Sequence, residues 1–69
     1  MEMKRINRSP VVAIGYDEKN RRMVVELTTG TWEYANVSPE LYRRFASAAT
    51  PGSFFRDNIE EELTGRRLK

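Results

Sequence analysis

The sequence predicts an α+β domain: a three-stranded antiparallel β-meander followed by two helices packed on one face of the sheet. Three features carry this expectation. Between residues 11 and 35 three short runs rich in β-branched and aromatic side chains alternate with turn clusters. From Leu41 onward the apolar spacing changes to three and four. Ser38-Pro39 and Ser53 stand just ahead of that spacing, where helix starts belong.

Residues 1–10 are polar and basic and close on Ser9-Pro10, so they read as a flexible N-terminal segment. The domain proper is expected over residues 11–64. Residues 11–16 are apolar and β-branched, the first strand, and Asp17-Glu18-Lys19-Asn20 is a turn cluster. Residues 23–28 and 31–35 are the second and third strands. A two-residue loop at Thr29-Gly30 sets Leu27 opposite Trp32 and Val25 opposite Tyr34, all on one side. Pairing Ile14 with Val25 sets Tyr16 opposite Met23 and makes the second strand central. Val11 and Val12 cannot both share the face of Ile14, which calls for a bulge. One face then carries Ile14, Tyr16, Met23, Val25, Leu27, Trp32 and Tyr34, the core. The other places Glu26 opposite Glu33, a like-charge pair unless a cation bridges it.

The apolar face needs a cover. Ser38 caps a first helix with Pro39 at its first position, and Leu41, Phe45 and Ala48 form its buried stripe. Thr50-Pro51-Gly52 ends that helix, and Ser53 caps a second with Phe55, Ile59 and Leu63 on one side. Gly65 is a stop, and residues 65–69 are left as a basic tail.

Composition narrows the function classes. The 69 residues suffice for one small domain, and with no cysteine and no histidine the chain has no disulfide staple, thiolate nucleophile, thiolate zinc site or histidine triad. No apolar stretch approaches the roughly 18 residues that read as a membrane span, so the expectation is a cytoplasmic protein without a membrane partner. The formal net charge is +2, far from a polybasic balance.

In their order and spacing, residues 11–59 resemble the KTSC domain. This short module is named from the C-terminus of some lysyl-tRNA synthetases and also occurs as stand-alone bacterial and phage proteins. The resemblance rests on Ile14-Gly15-Tyr16-Asp17, the strand with Val25 and Leu27, and Gly30 before the aromatic pair. It continues through Val37, Leu41-Tyr42, Phe45 and Ala48, then Thr50, Gly52, Phe54-Phe55 and Ile59. Trp32-Glu33-Tyr34 stands at the family's Tyr-x-Tyr. Ser38 stands where proline is usual, and Arg56 replaces a frequent asparagine. The family has no established activity, and the resemblance implies RNA binding only as proposed for the family from its synthetase context.

Residue chemistry points the same way. Nothing pairs a nucleophile with a base or sets two carboxylates in distinct environments, so no catalytic residue, metal ligand or cofactor site is assigned. Trp32 and Tyr34 share the inward face with Val25 and Leu27 and are expected in the core rather than free to stack on bases. Tyr42 and Phe54 lie off the buried helix stripes. Glu60-Glu61-Glu62 reads as a solvated face, with Glu62 paired to Arg66. Arg21, Arg22, Arg43 and Arg44, with Tyr42 among them, are expected to share one neighbourhood of turn and helix. That makes them the candidate site for RNA or another nucleic acid, held through basic loops and helix ends. The alternative is a protein-interaction or accessory module using the same residues or an exposed strand edge.

Overall fold

The computed structural model describes residues 3–69. Its α+β architecture matches the expected class, but the sheet has five strands, not three. They are β1 (Met3–Arg8), β2 (Val11–Asp17), β3 (Arg22–Leu27), β4 (Gly30–Tyr34) and β5 (Gly65–Arg67), in the spatial order β1-β2-β3-β4-β5. Every neighbouring pair is antiparallel, and helices α1 (Pro39–Ala46) and α2 (Pro51–Phe55) lie between β4 and β5 in sequence.

The two extra strands come from segments read as unstructured ends. Met3 pairs with Gly15 and Arg5 with Ala13, while Arg66 pairs with Glu33 and Arg67 with Trp32. Residues 1 and 2, part of the segment expected to be flexible, lie outside the described residues. Both new strands are edges rich in Lys and Arg, which discourages further strand addition and also hides them from an apolar-alternation test. β1 bends between Arg5 and Arg8, where Asn7 takes a left-handed conformation (φ 54°) that asparagine tolerates.

The pairing of β2 with β3 follows expectation: Ile14 faces Val25, Tyr16 faces Met23, and the bulge falls between Val11 and Ala13. The β3–β4 register does not. Leu27 faces Gly30, Val25 faces Trp32 and Met23 faces Tyr34, so the loop is Thr28-Thr29. A two-residue slip keeps every side chain on its expected face and changes only its partners. In this register Gly30, whose φ of 155° suits glycine alone, lies beside the returning C-terminal chain, and a Cβ there would come within 2.7 Å of the Lys69 carbonyl oxygen.

The slip removes the expected clash of Glu26 with Glu33. Glu26 faces Thr31, and Glu33 sits between Val24 and Arg66 with the Arg22 guanidinium 4.0 Å away. Glu33→Lys, which would relieve a like-charge pair, is instead expected to destabilise by roughly 0.5–1 kcal/mol, since it sets three cations together. Urea titration of the two proteins checks the sign.

The core lies between the sheet and the helices. Val11, Ile14, Met23, Val25, Val37, Phe45 and Ile59 are fully buried. The Ser38 hydroxyl accepts from the Leu41 amide (3.1 Å) as expected of an N-cap. α1 ends earlier than Thr50-Pro51-Gly52, because the Ser47 hydroxyl and amide both turn back to the Arg43 carbonyl (2.8 and 3.1 Å). α2 starts at Pro51, not after Ser53. Proline lacks an N–H to lose at a first helical position, and Thr50 supplies no side-chain cap. Gly52 accordingly lies inside the helix. After Phe55 the helix widens into a π-helical turn over Arg56–Glu60, and Gly65 opens β5 instead of ending a helix. Among the described residues no helix is long and apolar enough to cross a membrane.

Candidate functional site

α1 has eight residues and α2 five, and together they do not cover the inward face out to the Leu27 end of β3. Leu27 and Trp32 are only half-buried there. A cleft of about 610 Å³ opens between that end of the sheet and α2, with Arg8 and Pro10 on one wall and Pro51, Phe55 and Arg56 on the other. The Thr28 amide donates to the Pro10 carbonyl (2.9 Å) and ties the β1–β2 turn to the β3–β4 loop at this mouth. Leu27, Thr29, Phe55 and Glu60 also line a smaller lobe of about 260 Å³, whose remaining walls are Trp32 and Tyr34. The two spaces form one groove that runs from Arg8 to Trp32.

Tyr34 is 3% exposed, and its ring meets that of Phe55 edge-on, with centroids 6.0 Å apart. Its hydroxyl has no hydrogen-bond partner among the described residues, yet it is not sealed from solvent, and the residue is part of the wall of the lobe. Burial raises the Tyr34 pKa above the ordinary phenol value, and the negative charge of Glu60 adds to the rise. Glu60 has no ion-pair partner among the described residues. The Arg67 guanidinium lies 5.9 Å from the Trp32 ring centroid. It is held there by hydrogen bonds from Nε to the Lys69 carbonyl (2.9 Å) and from Nη2 to the Thr29 carbonyl (3.3 Å). Arg8 and Arg56 are exposed, and Arg56 has only a solvent-screened contact with Asp57 (3.4 Å). The groove is thus apolar and aromatic inside, with one carboxylate and one phenol in its inner lobe and guanidinium groups along its rim.

The residues singled out from sequence lie elsewhere. The Val37 amide donates to the Arg21 carbonyl (2.9 Å), so the β2–β3 turn does adjoin the base of α1. The side chains nevertheless diverge. Arg22 lies on the outer sheet face near Glu33, whereas the Arg44 guanidinium rests 5.8 Å from the Phe54 ring on the helix side. Arg21, in a left-handed turn position (φ 54°), and Arg43, in the last turn of α1, are exposed. Tyr42 stacks on Tyr16 (5.0 Å, 15°) and burial raises its pKa, while the Tyr16 hydroxyl donates to the Val37 carbonyl. Phe54 stacks on Phe45 (5.6 Å), so both off-stripe aromatics serve the flank of the core.

Trp32 faces inward as expected but is not enclosed. Arg8, Phe55, Arg56 and Glu60 are not legible in sequence as the lining of one groove, because β1, β3 and the helical segment from α2 through the π-helical turn meet only in the folded chain. One signal was present: the inward sheet face carries more large apolar side chains than two short helix stripes can cover. The Glu62–Arg66 ion pair does not form among the described residues, since the helix ends at Glu60 and Arg66 belongs to β5.

The KTSC domain pattern matches residues 8–62 of this chain. The chain is also similar to the crystal structure of a KTSC domain protein from Yersinia pestis. The TM-score is 0.92, with 28% sequence identity over 99% of this chain and 97% of that one. No curated protein matches the chain.

Proposed function

This chain belongs to the KTSC domain family, and we propose that it is a non-enzymatic module that binds single-stranded nucleic acid, with bases in the groove and phosphates on the arginines at its rim. The observation that carries this reading is the half-buried Trp32, beside the Arg67 guanidinium, in a lobe continuous with a cleft lined by Arg8 and Arg56. Base stacking on an aromatic ring contributes about 1–3 kcal/mol per base, and it needs a ring that water can still reach. A rim of arginines matches the phosphates on either side of a stacked base. Arg21 lies at the other end of β3, about 17 Å from Leu27 by strand rise, and neither it nor Arg43 lines the groove.

Trp32 is the only tryptophan in the chain, so its emission reports on the groove directly. Titration with a seven-nucleotide oligouridylate at low salt is expected to quench it. Affinity should fall with added salt by a log–log slope of about −0.7 for each phosphate held. Replacing Arg8 and Arg56 together by alanine should make that slope shallower by about 1.4 without changing the melting temperature. A loss of binding in an Arg21→Ala, Arg43→Ala protein, with the Arg8 and Arg56 replacements silent, would move the interface to the turn and α1. No binding at low salt would refute the reading and put a protein partner in its place.

A further inference from the structure

We propose that the inner lobe of the groove selects guanine, with the Glu60 carboxylate accepting from its two ring-edge N–H groups and the Tyr34 hydroxyl donating to its carbonyl oxygen. The proposal rests on the nucleic-acid reading above and adds the base to it.

Three features of the lobe point there. The first is Tyr34, a lobe-lining residue that is 3% exposed, whose hydroxyl lacks a protein partner among the described residues. A phenol without a protein partner is free to donate to an acceptor. The second is Glu60, an exposed acceptor without an ion-pair partner among the described residues, which lines the same lobe as Tyr34. The third is the widened π-helical turn that ends at Glu60 and begins at Arg56, so that one irregular turn supplies both the inner carboxylate and a rim cation. Such turns recur where a helix serves a ligand.

The Watson–Crick edges of the bases separate on this pattern. Guanine presents a carbonyl acceptor followed by two adjacent N–H donors, which match a hydroxyl donor beside a carboxylate with two acceptor oxygens. Adenine and cytosine each present one amine next to a bare ring nitrogen. That nitrogen would face the second carboxylate oxygen, lone pair to lone pair. Uracil has a single N–H between two carbonyls, one of which meets the carboxylate in the same way. Only guanine leaves neither polar group of the lobe opposed. The floor of Leu27 and Phe55 and the ring of Trp32 accept any base face, so they contribute affinity without choosing.

The test uses the full chain and four heptanucleotides, oligouridylate with G, A, C or U at the central position, read by Trp32 emission and by anisotropy of an end label. The G-containing strand is expected to bind about tenfold tighter than the other three, in the range measured for a good two-bond base contact. Glu60→Gln, at an exposed position, should bring that ratio close to one, in part by relieving the opposition to the other bases, while the melting temperature stays unchanged. Tyr34→Phe should reduce the preference without abolishing it. Equal binding of all four strands, or a guanine preference that survives Glu60→Gln, overturns the selectivity and leaves nucleic-acid binding standing. If none of the four strands binds at low salt, both readings fall.

Discussion

Phe45→Ala is expected to destabilise the domain by about 3–5 kcal/mol, the usual effect of truncating a buried aromatic side chain. Phe45 is fully buried, stacks on Phe54 with centroids 5.6 Å apart and lies 6.1 Å from Phe55. It is the only residue of α1 that is fully enclosed, so it anchors the helix to the sheet. A domain of this length has a total stability of about 3–10 kcal/mol, which leaves the variant marginal or unfolded. Urea denaturation followed by circular dichroism measures the effect. Phe45→Leu, which keeps most of the volume, should recover a cooperative transition with a loss of only about 1–2 kcal/mol. A native melting curve for Phe45→Ala would mean that α1 is held by something other than this ring.

The second large effect is expected at Gly65. A Cβ there would lie 2.5 Å from Tyr34 Cε1, 2.8 Å from Cζ and 3.0 Å from the hydroxyl oxygen. The Tyr34 ring is 3% exposed and packed edge-on against Phe55, so it does not move without disturbing that contact. Gly65→Ala therefore forces either β5 off the sheet or the phenol out of the groove, at a cost of about 1–3 kcal/mol. Hydrogen exchange separates the two. Detachment of β5 exposes the Leu68 amide, which donates to the Thr31 carbonyl at 2.7 Å, while amides of the β2–β3 ladder stay protected. Unchanged exchange and melting would show that the strand and ring can separate without strain.

The same glycine shows why part of the fold was hidden. From sequence, Gly65 after an apolar helix stripe is a helix stop, and the rule is sound locally. Its actual role depends on Tyr34, thirty-one positions earlier by residue number. The need for glycine at position 30 likewise comes from Lys69, thirty-nine positions later by residue number. The alternation of Val25, Leu27, Trp32 and Tyr34 assigned each to the correct face even though their pairings slipped by two, since a slip of two preserves the pleat. The arginine cluster fared differently. Proximity of Arg21 to the base of α1 was readable from strand direction, but the opposite aim of Arg22 and Arg44 was not, because it turns on which face each side chain leaves.

By itself the sequence determined the class, the inward and outward faces, the Ser38 cap and the aromatic core, because periodicity, capping and burial act within a few residues of one another. Only the tertiary structure decided the outer strands and the groove. β1 and β5 are polar segments whose strand character comes from the ladder they join, not from their own composition. The groove exists because two short helices leave one end of the sheet uncovered, and that mismatch of areas arises only when distant segments pack.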